Sequence, residues 1–174
     1  MAHNVIIKVQ TASFNVDALN RSAVYTTGNL DNGSVVALNT KSAGIGHWNA
    51  TLPAEGDAPL WIVASPEVIF VDKAHGGSAD PRDFENVAGR VFDCFCPQVA
   101  DQIEMTLPDF GTITAGSESA YIVAGTDGAF ATADAAPTSG LVFKFVGRNT
   151  LKIGEGAIAP EAIPTYVYEC VANN

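Results

Sequence analysis

The sequence predicts an all-β protein: a small barrel or sandwich of many short, mostly antiparallel strands with an extended, loop-rich N-terminal arm. Three observations lead there. The end of the chain is dense in aromatic and β-branched residues, in a run from Leu141 to Val146 between Gly140 and Gly147 and another from Ile163 to Val171. Such runs are too short for an average helix. Both alternate: Leu141, Phe143 and Phe145 share one face and Val142, Lys144 and Val146 the other, while Tyr166, Tyr168 and Cys170 oppose Val167, Glu169 and Val171. Further short apolar runs, separated by turn residues, recur from Ala23 to Thr132.

Taken in order, Asn4 to Val9 alternates weakly and reads as an edge strand, and the polar stretch from Gln10 to Asn20 reads as an arm laid over another surface. Ala23 to Thr27 predicts a strand. Asn32-Gly33 supplies the positive φ of a tight hairpin turn, with Ser34 to Leu38 as the return strand. Asn39 to Pro59, punctuated by Gly44, Gly46, Pro53 and Gly56, predicts a long surface loop containing Trp48. Leu60 to Ser65 and Glu67 to Asp72 are strands split by Pro66, which cannot donate to a ladder. His75 to Ser78 is a turn, and Asp80 to Asn86 a helical turn with Asp80 as cap and Pro81 at its first position. Strands follow at Gly89 to Cys96, Gln102 to Leu107, Phe110 to Ala115, Ala120 to Ala124 and Ala129 to Thr132, and the closing stretch completes the chain. The shift from polar and loop-rich to strand-dense sequence divides residues 1–59, an arm and cover region, from residues 60–174, the main β-domain.

At 174 residues the chain can bury a core without staples. Its charged fraction, 16 %, is low, so much of the surface must be neutral. The net charge of −10 repels phosphate backbones and anionic membrane faces, which argues against nucleic-acid and membrane partners. The runs Leu60 to Ala64 and Val68 to Val71 are far short of the roughly 20 residues that span a bilayer. The start Met1 to Val5 lacks the charged and apolar regions of a secretory leader, so either a soluble product made in the cytoplasm or a chain that begins after processing is expected. Cys94, Cys96 and Cys170 then read as reduced, buried thiols, the first two too close along one strand face to bridge.

Catalytic patterns are sparse. There is no phosphate loop, dinucleotide fingerprint, nucleophile elbow or helical His pair, and Gly44-Ile45-Gly46 is only a two-glycine loop. Asp72, His75, Asp80 and Asp83 crowd one acidic segment without the spacing of a calcium or zinc site, and the three thiols have the aromatic strand neighbours of core residues. His3, His47 and His75 fall in turns or tails with nothing to orient a base, and Asp101 and Glu104 are the one acidic pair that could flank a sugar bond. Asn20, Asn32 and Asn49 head glycosylation triplets that an unexported chain would not use. The expectation is therefore no catalytic residue, no cofactor and no metal. Few charges and mixed outer strand faces suit a subunit that buries area against neighbours. Trp48 is a candidate interface anchor and Trp61 a core residue.

Three stretches carry a resemblance: Leu30-Asp31-Asn32-Gly33-Ser34-Val35-Val36; Gly89-Arg90-Val91-Phe92 followed by Ala100-Asp101-Gln102-Ile103-Glu104-Met105-Thr106; and Gly140 to Val146 with Ile163-Pro164-Thr165-Tyr166-Val167. Together they resemble the capsid decoration, or head cement, proteins of tailed bacteriophages. The resemblance implies a non-enzymatic virion protein, assembled in the bacterial cytoplasm, that binds the outer face of an icosahedral head and cements neighbouring major capsid protein capsomers. It also implies a homo-oligomer, often a trimer at three-fold sites. Val5, Ile7, Phe14, Val16, Leu19 and Trp48 are the expected capsid or subunit contacts. The competing expectations are a carbohydrate-binding or adhesion module stacking sugars on Trp48 and Tyr25, a small β-barrel enzyme, and a tail or fibre subunit.

Overall fold

The computed structural model describes residues 4–42, 46–67, 81–106, 121–133, 135, 137, 139–153 and 161–174. The chain is all-β. Strands β1 (Ile6–Gln10), β7 (Gln102–Met105), β8 (Tyr121–Ala124), β9 (Phe130–Ala133), β10 (Leu141–Ile153) and β11 (Glu161–Asn173) form an antiparallel sheet in the order β1-β7-β11-β10-β8-β9. Strands β2 (Asn20–Val24), β3 (Val35–Lys41), β4 (Trp48–Thr51), β5 (Leu60–Val63) and β6 (Val91–Phe95) close a small barrel in the order β2-β4-β3-β5-β6. Within it only the β2–β4 pairing is parallel.

Alternation along the barrel strands divides their side chains between two cores. In β3, Val35 and Ala37 join the core shared with the sheet, while Val36 packs inside the barrel with Leu38 against it. In β5, Leu60 and Ile62 face the sheet while Val63 faces the barrel interior; in β6, Phe92 and Cys94 fill the barrel and Phe95 reaches the sheet. This wall is apolar on both faces, which is why Leu60 to Val63 reads as an unbroken hydrophobic run. Each such side chain contributes about 1.5–3 kcal/mol on burial.

The sheet supplies Ile103, Met105, Ile122, Phe130, Leu141, Phe143, Tyr168 and Cys170 to the shared core. Phe130 meets Phe143 edge-on at 5.6 Å, and Phe145 meets Tyr168 at 5.7 Å. The alternation expected in the closing stretch is present in part: Phe143 and Tyr168 are buried and Lys144 exposed, but Leu141, Val142 and Phe143 are all buried, with a bulge between Val142 and Phe143. A bulge between Phe145 and Gly147 leaves Val146 without a partner and 51 % exposed.

Several expectations differ from the fold. Gly33 does take φ +88°, but β3 does not return along β2, whose neighbours are β4 and β6. Asn32 is buried instead: its amide accepts from Ser65 N–H at 3.0 Å, donates to Ser65 C=O at 3.0 Å and ties the turn to the end of β5. The Asn39 to Pro59 loop contains strand β4, whose only buried side chain is Ala50 and which is held by its neighbours' ladders. The division at residue 59 falls between β4 and β5, so strands from both sides of it close one barrel. The loop-rich N-terminal stretch is present as two 3-10 turns, Ala12–Phe14 and Asp17–Leu19, but it lies on this chain's own body, with β1 paired to β7. Pro81–Asp83 is a single 3-10 turn. The strands expected at Phe110 to Ala115 and in most of Glu67 to Asp72, the His75 to Ser78 turn and the Asp80 cap lie outside the described residues.

Candidate interaction surface

Where β1 ends, the chain turns over the rim shared by sheet and barrel. Thr11 and Ser13 are buried and bonded to each other through their hydroxyls at 2.9 Å, which forces the intervening and following side chains outward. Phe14 is 59 % exposed and Val16 44 %. The Asn20 amide clamps the stretch by donating to Ser13 C=O at 2.7 Å, and Cys96 N–H donates to Leu19 C=O at 2.9 Å.

The loop after β6 is fixed against this stretch by one carboxylate. Asp101 accepts from Ala12 N–H and from Gln98 N–H, one at each oxygen and both at 2.8 Å. Ala100, at φ +76°, makes the tight return, and the loop presents Val99 at 67 % exposure. Asn173 completes the frame, donating to Pro97 C=O at 3.0 Å and accepting from Leu60 N–H at 2.9 Å. Between these elements runs a groove of about 380 Å³, its apolar lining supplied by Ala18, Leu19, Pro59, Trp61, Pro97 and Val99. Two cations lie over aromatic rings nearby: Lys8 Nζ is 5.4 Å from the Phe14 ring and 5.0 Å from Phe95, and the Arg21 guanidinium is 5.6 Å from Trp61. Burial holds the Lys8 ammonium below its ordinary pKa, and Asp93 opposes that shift.

The surface offers apolar side chains on a backbone already fixed by hydrogen bonds, so little conformational entropy remains to be lost when a partner covers it.

Of the residues expected to make contacts, the fold brings Phe14, Val16 and Leu19 together here. Val5 is corrected: it is 4 % exposed, exchanging hydrogen bonds with Thr106, and belongs to the interior. Ile7 is half-buried in β1 opposite Glu104. Trp48 and Tyr25 are half-buried, packed against the barrel core, and neither lines the groove; Trp61 packs against that core and also lines the groove. Val99 and Pro97 were invisible as contacts in the sequence, because the short apolar stretch around them carries no periodicity and only the Asp101 tie joins it to the turn at Ala12.

In three comparisons, with protein-family models, curated proteins and solved structures, nothing matches the chain.

Among the other candidates from the sequence, the acidic pair is engaged within the fold. Both Asp101 oxygens hold backbone, and the buried Glu104 carboxylate accepts from the Thr165 hydroxyl and from the Asn149 amide at 3.2 Å. All three cysteines are free and buried; burial pushes the Cys94 and Cys170 thiols up to about 12 and raises Cys96. Cys94 belongs to the barrel core and Cys170 to the shared core. His47 Nδ1 is buried with no hydrogen-bond partner among the described residues, so nothing there orients it as a base. Asp72, His75 and Asp80 lie outside the described residues, as does His3, and Asp83 sits in the 3-10 turn. Among the described residues no three acidic, His or Cys side chains are grouped for a metal. No described helix is long and apolar enough to cross a membrane.

Proposed function

We propose that the chain is a non-enzymatic structural protein of a tailed-phage virion, binding the outer face of the icosahedral head and cementing neighbouring capsomers. The resemblance of its three strand-and-turn stretches to head decoration proteins supports this reading. The single structural observation behind it is the exposure of the apolar side chains Phe14, Val16 and Val99 on two turns tied by Asp101, with Val99 also lining the groove of Leu19, Pro59 and Trp61. Apolar side chains of this size, held outward by buried hydrogen bonds, are of use when another surface covers them. In this reading the major capsid protein is that surface, and many weakly bound copies add up to a large resistance against separation of the shell's units.

Charge substitution on the rim tests the assignment. Phe14→Asp combined with Val99→Asp leaves the backbone ties of Asp101 and Asn20 intact, so the fold should survive, as read by circular dichroism. The variant should lose binding to heads stripped of accessory proteins by at least about 10-fold, since two desolvated apolar contacts contribute on the order of 2–4 kcal/mol. Wild-type occupancy by the folded variant would remove the surface from the account.

A further inference from the structure

A groove of about 620 Å³, lined wholly by described residues, lies between β1 and the barrel strands β2 and β6. Ile6 and Lys8 come from β1, Asn20 to Ser22 from β2, Ala64 to Glu67 from the chain leaving β5, and Asp93 and Cys94 from β6. Its volume is that of a small-molecule site. None of Phe14, Val16 and Val99 lines it, so it is separate from the apolar rim.

The polar groups of this groove carry both signs of charge and are held in place by the fold. Asp93 accepts from the Ser22 hydroxyl at 3.1 Å through Oδ1, and its N–H donates to the Ser65 hydroxyl at 3.0 Å. Glu67 accepts from the Asn32 amide at 3.3 Å and from Ile6 N–H. Arg21 Nη1 donates to Asn20 C=O at 2.9 Å, and its guanidinium lies 5.6 Å from the Trp61 ring. Two valences are left over. The Lys8 ammonium rests on the Phe14 and Phe95 rings with no hydrogen bond or ion pair among the described residues, and Asp93 Oδ2 accepts no hydrogen bond among them. Lys8 is partly desolvated, and Asp93 attracts it without pairing. A cation in that state gains from a charge-assisted partner.

The balance of charge narrows the ligand. Lys8 and Arg21 are offset by Asp93 and Glu67, so a dianion such as phosphate would be repelled by both carboxylates. A single carboxylate on a hydroxyl-rich frame uses both signs. Its charge pairs with Lys8 and Arg21, while its hydroxyls donate to Asp93 and Glu67 and accept from Ser65. We propose that this groove binds an acidic sugar, a uronic-acid saccharide of one or two rings. Trp48 and Tyr25, the residues expected to stack sugars, do not line it. The site goes beyond head binding and does not depend on it.

The experiment is titration of the full chain with the disaccharides of glucuronate, galacturonate and mannuronate, followed by calorimetry and by Trp fluorescence, to which Trp61 beside Arg21 responds. The neutral disaccharides, acetate and inorganic phosphate are titrated beside them. The expected result is saturable binding of at least one uronate below about 10 mM, tighter by about 10-fold or more than its neutral counterpart, acetate or phosphate. Lys8→Met keeps an aliphatic stem over the two rings and should weaken that binding by about 10-fold or more, as should Arg21→Gln. Asp93→Asn separates a sugar from a bare anion. Loss of the acceptor should weaken the sugar by about 10-fold, whereas loss of a negative charge would tighten a simple anion. Thermal unfolding and circular dichroism read whether each variant keeps the fold. No binding by any uronate overturns the proposal. So does equal binding of a neutral sugar or phosphate, wild-type affinity in the folded Lys8 and Arg21 variants, or tighter binding by Asp93→Asn. Head binding is read separately, so a chain that binds uronates and ignores heads contradicts the function above and leaves this site standing.

Discussion

Asn32 is the most connected polar side chain in the turn that feeds β3, and replacing it is a severe test of how the barrel is held. Its amide makes four hydrogen bonds: it accepts from Ser65 N–H at 3.0 Å and Asn86 Nδ2 at 3.1 Å, and donates to Ser65 C=O at 3.0 Å and Glu67 at 3.3 Å. The residue is 1 % exposed, so water cannot replace these partners without entering the interior. Asn32→Ala removes all four and strands the Ser65 and Asn86 groups, at about 1 kcal/mol per bond plus the cost of unsatisfied buried partners. The expected loss is therefore at least about 4 kcal/mol, a large share of a typical total of about 5–15 kcal/mol. Asn32→Asp keeps both acceptances but sets a carboxylate against the Ser65 carbonyl and Glu67, so it should cost a comparable amount at neutral pH. Urea unfolding by linear extrapolation, with the slope unchanged, reads both values. A loss below about 1 kcal/mol for Asn32→Ala would refute the claim that this amide, rather than a local hairpin, fixes the turn.

Other substitutions probe the remaining joints. Gly128 sits at φ +81°, its carbonyl accepts from Val35 N–H at 2.7 Å, and an added Cβ would come within 2.8 Å of Leu52 Cδ2 and 3.1 Å of Val35 O; Gly128→Ala should cost about 2–3 kcal/mol in thermal or urea unfolding. Asp101→Ala frees the Val99 loop and the Ala12 turn together, and should cost about 2–3 kcal/mol while accelerating amide exchange at Ala12 and Gln98. The thiols of Cys94 and Cys170, raised from 9.0 to about 12 by burial, keep their protons in the fold after an unfolded chain has lost them. Stability should accordingly fall as pH climbs from about 9 towards 12, and iodoacetamide at pH 8 should label these cysteines only after unfolding.

The sequence shows its strands where the side chains themselves carry the pattern. Phe143 to Val146 and Tyr166 to Cys170 carry the pattern of one face filling the shared core, and Leu60 to Val63 is apolar throughout because two cores flank it. β4 escapes notice because Trp48-Asn49-Ala50-Thr51 buries only one side chain and owes its conformation to ladders with β2 and β3. Asn32-Gly33 illustrates the limit of local turn chemistry: it signals a positive φ correctly, yet the strand that follows pairs with β4 and β5, some of them distant in sequence. The interaction surface was half legible. Phe14, Val16 and Leu19 stand out as apolar residues in a polar stretch, but Val99 reaches them through a carboxylate whose role depends on contacts across 89 residues. Val5 looked the same as its half-buried neighbours Ile6 and Ile7 and is buried where its backbone exchanges hydrogen bonds with Thr106 beside the β1–β7 ladder.

The measurement that bears most directly on the proposed role is co-sedimentation of the purified chain with phage heads stripped of accessory proteins, scored as copies bound per shell across a titration. The account predicts saturation at a multiple set by icosahedral symmetry, with Phe14→Asp plus Val99→Asp failing to reach it. A well-folded chain that leaves the heads bare at every concentration would contradict it.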